Sequence, residues 1–573
     1  MQTYGPGAGA GSPPMSDLDH ILLRPHVTLS DIFREVDVTH LLSNAHQKLV
    51  HFFTEDKILK DLLHCVIDQP HAAGAEYQTK TRHATLACEI ICLDIDVLLD
   101  KIARERQFLD VLWTFLDNRP PLNSLVASCF CKVMSMLLHR KTRPVYTYLR
   151  AMGAVDRLIE HLETAAVMEL YIEIVTVVVG LKLKLEINTW LAEENLVEKL
   201  VDRVHPAHDD IAQYSAGQLL CELIGIGRYH IPPFIHKGHP QIIFDCPILT
   251  RLEQPRTIER LLLNIFAHMD HPNATASLVN GVPIILCMID VKRRSMRLPG
   301  QVTNPLYVQR MQRIRATVLR ALSPRFQDMY YAMLRFTPRY SMETTTGVLE
   351  PPLGKVRLTI CKLVAQVIAT NSMLIVEPIS KTGVLDVLMD LFASYEWHNI
   401  LHTYVRQSVC GILQFRVHPE EVENSEREGC CVSPDSLIRH LFIDCQILQR
   451  CLSLWRLNEI AERSGKLRKG YMGHLTEVIN EIQKCRQRGP NVKMVQSMFH
   501  VLPYNVKKEW TQLIISDLDK VNTRNACPPM EFSLSPSEAS SDASGDDAGN
   551  SLYYDKIPQQ FENKETNNFD SFQ

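Results

Sequence analysis

The sequence contains no CxxC pair among its sixteen cysteines, no apolar run long enough to cross a bilayer, and no charged-then-apolar segment at its start. The first absence removes the usual spacing of zinc ribbons and redox motifs. Cysteines such as Cys88 and Cys92 sit inside apolar runs and read as reduced structural thiols. The other two absences give no support to membrane spanning or secretion, so an intracellular address is expected, cytoplasmic with the nucleus as a second compartment. Charge of one sign is also lacking: the net charge is −4 over 573 residues, which gives no reason to expect nucleic acid or membrane as the main partner. HExxH, GxSxG, the kinase-type GxGxxG and the metal motifs of phosphatases are missing, and no catalytic, cofactor or metal site is assigned.

Strand signals are few, since alternating Val, Ile or Thr runs bounded by Asn-Gly or Asp-Gly turns hardly occur. Residues 170–187, LYIEIVTVVVGLKLKLEI, are the exception, and their place between helical units predicts a buried helix. Helical periodicity is abundant. Val356, Ile360, Leu363, Val364 and Val367 form one apolar stripe, with Lys355, Lys362 and Gln366 off it. Val384, Leu385, Leu388, Leu391 and Phe392 mark a second helix. Leu401, Tyr404, Val405, Ile412 and Leu413 mark a third, with Asn399 as its N-cap.

Units of this kind recur. Phe108-Leu109-Asp110-Val111-Leu112, ten residues and Asn123-Ser124-Leu125 match Val384-Leu385-Asp386-Val387-Leu388, ten residues and Asn399-Ile400-Leu401 without a gap. Related versions begin at Gly153, Asn195 and Gly281. Leu109 to Val155 is 46 positions and Val155 to Val197 is 42, within the roughly 40–47-residue period of armadillo and HEAT repeats. The expected fold is therefore all-α, an armadillo- or HEAT-like α-solenoid over residues 17–526. A disordered leader is expected at 1–16 and a disordered acidic, Ser-rich tail at 527–573. Loops are expected near 228–248 and 416–435, where prolines or acidic residues break the pattern.

Among candidate residues, His230, His236, His239 and Cys246 lack a paired ligand spacing and read as incidental to a proline-rich loop. The basic run Lys292-Arg293-Arg294 through Arg297, Arg310, Arg313, Arg315, Arg320 and Arg325 has few interleaved aromatics, so it reads as a solvated helix face or a contact for an acidic segment. Gly347 and Gly354 are separated by six residues and Lys355 is followed by Val356, which rules out a P-loop. Two corners stand out for partner contact: Arg119, Pro120, Pro121 and Asn123, and Gly347, Glu350, Gly354 and Lys355 with Trp397 and His398 nearby. Prolines and caps explain part of each corner, but neither a cap nor a core stripe is expected to need Arg119, Glu350, Lys355, Trp397 or His398. Ser535, before Pro536, and Ser544, three residues before Asp547, are candidate phosphorylation sites.

The segments TTTGVLEPPLGKVRL and YEWHNILH, together with VTLSDIF, QKLVHFF, PPLN, GYMGHLTEVINEI and NTRN in the same order, resemble the SAPS-domain proteins, the regulatory subunits of protein phosphatase 6. The resemblance covers roughly residues 17–525, and the sequence departs from it in a short acidic insertion at 416–435. It implies a non-enzymatic scaffold that binds the catalytic subunit of protein phosphatase 6 and directs it to substrates or to an ankyrin-repeat regulatory subunit. An armadillo-type transport or adhesion adaptor would share the architecture. That reading would need a ladder of exposed Asn and Trp once per repeat, which tryptophans 113, 190, 397, 455 and 510 do not form.

Overall fold

The computed structural model describes residues 22, 27–34, 38–43, 47–69, 75–229, 246–289, 305–417 and 433–526. The leader, the tail with Ser535 and Ser544, His230, His236, His239, Lys292 through Arg297 and most of both expected loops lie outside them. Contacts divide the chain into residues 1–515 and 516–573. In the second unit the described part is helical, ending in Asp519–Ala526.

The first unit is a stack of helices organised by one ladder: α1 (Ala75–Ile91), α2 (Ser124–Arg140), α3 (Ala165–Thr176), α4 (Asp210–Tyr229), α5 (Ala274–Ile289), α6 (Lys355–Ile368), α7 (Asn399–Leu413) and α8 (Met472–Gln487). Each packs against the next, so a ladder helix has an apolar neighbour on both sides. The sequence of α6 shows why. Val356, Ile360, Leu363, Val364 and Val367 are buried as the stripe requires, but Cys361, Ala365 and Gln366 are buried too, which makes Gln366 part of the packed surface rather than its margin. This two-sided burial is the signature of a solenoid repeat, which cannot satisfy its apolar faces alone. Shorter helices form a second set, in which Asp56–Ile67 meets Arg106–Trp113 and Phe326–Arg335 meets Val384–Ser394.

Local chemistry sets the register. Thr28 donates its backbone N–H and its hydroxyl to the Asp31 carboxylate, at 3.1 and 2.6 Å, starting the helix Leu29–Ile32. Asn123 caps α2, accepting from the N–H groups of Leu125 and Val126 at 3.1 and 3.2 Å. The units that begin at Gly153 and Asn195 enter their helices through left-handed backbone, with φ of 60° and 56°, a conformation that glycine adopts freely and asparagine tolerates. Between neighbouring repeats run exposed ion pairs such as Lys141 with Asp96 and Asp100, Lys199 with Asp156 and Arg260 with Asp202. Each is worth at most about 1 kcal/mol, so the apolar ladder carries the stability.

Five sequence expectations are corrected. Residues 170–187 form no single helix: α3 ends at Thr176, and a new helix runs from Leu181 to Glu193 after a break at 177–180. A two-stranded hairpin occurs where none was expected, β1 (Met342–Thr344) pairing antiparallel with β2 (Gly347–Leu349). The three-helix unit after it gains a short helix, Val376–Lys381. The N-cap of α7 is His398, whose Nδ1 accepts from Leu401 N–H at 3.2 Å, while Asn399 is the first helical residue. Finally, Arg310 and Arg315 do not form a solvated face. Arg310 pairs with the buried Glu253 at 2.7 Å and Arg315 donates to the Ile289 carbonyl at 3.2 Å.

Asn123→Ala should cost about 1 kcal/mol, the usual worth of an N-cap, and Asn123→Asp should keep most of it. Denaturation midpoints of the two variants measure this, and equal loss in both would show that the corner, not the cap, is at stake.

Candidate partner-binding surface

The two corners singled out by sequence belong to different parts of the stack. Arg119, Pro120 and Pro121 are exposed between the 3₁₀ turn Thr114–Asp117 and α2, Leu122 is buried beneath them, and the Pro120–Pro121 bond is cis. Arg157 of the following unit pairs with Asp117, and His161 Nε2 meets the Leu116 carbonyl at 2.9 Å. The corner is thus tied down from one side, with the Arg119 side chain left in solvent.

The second corner gathers more. Beyond β2, Glu350 is exposed and its bond to Pro351 is cis, Leu353 is buried, and Gly354 starts α6 with a φ of 80°. A Cβ there would lie 3.0 Å from Pro338, so both the backbone angle and the close approach call for glycine. Arg357, in the first turn of α6, donates to the Met333 carbonyl at 2.8 Å, to the Thr337 hydroxyl and to the Tyr395 hydroxyl at 3.2 Å. Tyr395 in turn donates to the Pro351 carbonyl at 2.9 Å. One guanidinium therefore locks three chain segments, at 333–337, 351–357 and 395, into one arrangement.

Tyr395 opens the aromatic turn that continues into Trp397 and His398. Trp397 is 47% exposed, whereas the other four tryptophans are buried. Its ring lies against Gly470, where a Cβ would come within 2.6 Å of the Glu396 carbonyl and of the indole. Lys469 holds Glu396 at 2.6 Å and His474 meets Asn399 at 2.6 Å. Glu350, Gly354, Lys355, Trp397 and His398 thus lie on or beside segments of one frame, joined to the 469–474 segment, while Gly347 belongs to the hairpin and pairs with Thr344. Among the described residues, no hydrogen bond or ion pair links that frame to Arg119, Pro120, Pro121 or Asn123.

Next to the frame lies an open groove of about 720 Å³, floored by α4 and α5 and rimmed by Arg335–Tyr340 and Gly354–Val356. Ile211, Tyr214 and Tyr340 are exposed along it. Arg335 pairs with Asp270 at 2.5 Å, while Arg339 and Lys355 are exposed and make no hydrogen bond or ion pair among the described residues. Sequence reading missed Arg339, Tyr340 and Tyr214. The helix-breaking Thr337-Pro338 just before the hairpin was the signal for the first two, and nothing local marks Tyr214. Cys246, the one described member of the loop quartet, precedes a short helix at Pro247–Leu252, and burial raises its thiol pKa.

Under the aromatic turn, His402 is fully buried, with its ring 4.6 Å from that of Phe392 and 5.8 Å from that of His474. Burial first, then the neighbouring His474, push its pKa down to about 4, outweighing the Tyr395 and Phe392 carbonyls. The unfolded chain takes up this proton near pH 6.5 and the folded chain resists it down to about 4. Stability should therefore fall as pH drops through that window, by up to about 3 kcal/mol. His402→Leu should flatten this slope, and an unchanged pH profile of the unfolding midpoint would contradict the assignment.

A family profile described as SAPS, SIT4 phosphatase-associated protein, matches residues 134–527. The chain is 31% identical over 516 residues to serine/threonine-protein phosphatase 6 regulatory subunit 3 of Gallus gallus, covering 89% of this chain and 57% of that one. It is 29% identical over 531 residues to serine/threonine-protein phosphatase 6 regulatory subunit 2 of Homo sapiens, covering 89% and 54%. It is 24% identical over 387 residues to extragenic suppressor of kinetochore protein 1 of Schizosaccharomyces pombe, covering 64% and 44%. The chain thus spans less than two thirds of the length of these relatives.

Proposed function

Because this chain belongs to the SAPS family, we propose that it is a non-catalytic regulatory subunit that binds a protein phosphatase 6-like catalytic subunit and directs it to substrates or further subunits. The reading rests on the names of its relatives and on one structural observation. Residues of the family-like segments, Lys355 and Trp397 among them, meet in a frame locked by Arg357, with unpaired cations and exposed aromatics around a groove. Such a surface suits protein recognition, since exposed Trp, Tyr and Arg on a rigid frame give contact area at low ordering cost. An ankyrin-repeat protein as a further subunit rests on the sequence resemblance alone.

The absence of catalytic activity in the isolated chain belongs to the same reading. Phosphoester hydrolysis of the two-metal kind needs two ions about 3.5–4 Å apart. Among the described residues, the one grouping close enough to share an ion contains a thiol and a single carboxylate. We also place the protein in the cytoplasm, with the nucleus as a second compartment, a reading that the free cysteines support. Ser535 and Ser544 remain phosphorylation candidates on sequence grounds.

Charge reversal separates the corners. Arg339→Glu with Lys355→Glu should leave the melting temperature within a degree or two, since exposed substitutions cost under about 0.5 kcal/mol. The pair should weaken co-purification of the catalytic subunit by at least about tenfold, or 1.4 kcal/mol. Arg119→Glu, tested alone, reports whether the first corner contributes. Unchanged binding in all three substitutions at unchanged stability would leave both corners as scaffold only.

A further inference from the structure

We propose that Asp386, His440 and Cys445 bind a zinc ion that clips together two successive helical units. One ring nitrogen of His440, the Sγ of Cys445 and a carboxylate oxygen of Asp386 lie within 4.8 Å of one another. Asp386 projects from the helix Val384–Ser394. The other two come from a turn in which the backbone widens into a π-helix over His440–Asp444, with the Cys445 N–H donating to the His440 carbonyl at 2.9 Å. Widened turns of this kind often mark functional sites, because they cost helix geometry and persist where they aim a side chain.

The state of His440 supplies the second observation. It is 7% exposed, its Nδ1 meets the Asp444 carboxylate at 2.9 Å, and its Nε2 is buried with no hydrogen-bond partner. An orphaned buried ring nitrogen is uncommon. A carboxylate on one nitrogen with the other directed to an ion is how metal-binding imidazoles are ordinarily held. Cys445 is fully buried beside it. The donor set of one nitrogen, one thiolate sulfur and one oxygen suits zinc rather than magnesium or calcium, which take oxygen alone.

Zinc–ligand distances of about 2.0–2.3 Å put tetrahedral donor atoms roughly 3.3–3.8 Å apart, so the three side chains need to close by about 1 Å. On binding, the Sγ–Zn bond forms as the thiol proton leaves to solvent, and water fills the fourth position. Arg450 contacts this group. Its closest carboxylate is Asp390 at 2.5 Å, its Nε donates to the Cys445 carbonyl at 2.9 Å, and it stands 3.5 Å from Asp386. It therefore orients the turn while leaving Asp386 able to turn toward an ion.

The test uses the full chain, stripped with chelator and titrated with Co²⁺ and then Zn²⁺. The expected result is about one metal per chain, a thiolate-to-cobalt charge-transfer band that Zn²⁺ abolishes, release of one proton, and a melting temperature raised by at least about 2 °C under saturating Zn²⁺. Cys445→Ser and His440→Gln should abolish the band. Cys451→Ser should not, and neither should His205→Ala with His268→Ala, which removes a competing pair of adjacent imidazoles with ring centroids 4.5 Å apart. If the first two variants fail to fold by circular dichroism, the more exposed Asp386→Asn carries the test, with an expected loss of at least tenfold in Co²⁺ affinity. Absence of the band at about 100 µM Co²⁺, or a band that persists in folded Cys445→Ser or Asp386→Asn, would overturn the assignment.

Discussion

Two-sided burial of the ladder helices is the constraint on which the rest depends. α2 buries Cys129 and Cys131 on either side of the stripe formed by Val126, Phe130, Val133 and Leu137, which together span more of the helix surface than one neighbour can cover. α6 does the same with Val356, Cys361, Ala365 and Gln366. A helix of this kind is stable only between two others, so each unit depends on the next and the connections are pushed outward. The corners at 119–123 and 347–355 are that expelled chain. Their prolines and glycines serve the turn, and their remaining side chains are released from packing.

A released corner becomes a recognition surface only when something fixes it. At 351–357 that is the Arg357 guanidinium, which satisfies a carbonyl and two hydroxyls from segments far apart in sequence. The groove beside it then has a rigid rim of Arg339, Tyr340 and Lys355, and the Trp397 ring is seated against a position where only glycine fits. The first corner is held differently, through Asp117 and Leu116 on one side and the Asn123 cap on the other. If both take part in binding, they contribute as separate contacts spread along the stack.

The helical class and the repeat were legible because apolar spacing is a local signal. The cap at Asn123 and the capping box at Thr28 were legible for the same reason. The His398 cap was missed because a histidine can take the role when its Nδ1 faces the first turn, and Asn is the commoner choice. The break at 177–180 was hidden by an unbroken run of valines, in which helix and irregular backbone look alike to periodicity. The hairpin was hidden by its brevity. The groove and the Asp386, His440 and Cys445 group were not legible, since each draws members from segments far apart in sequence, joined only by the fold.

Hydrogen–deuterium exchange of the chain, alone and with the catalytic subunit of protein phosphatase 6, tests the central claim most directly. The account predicts a stable complex in which exchange slows at residues 335–356 and 395–401 while the buried ladder helices beyond their first turns are unchanged. A stable complex whose protection falls wholly elsewhere would contradict the assigned surface, and failure to form a complex would contradict the function itself.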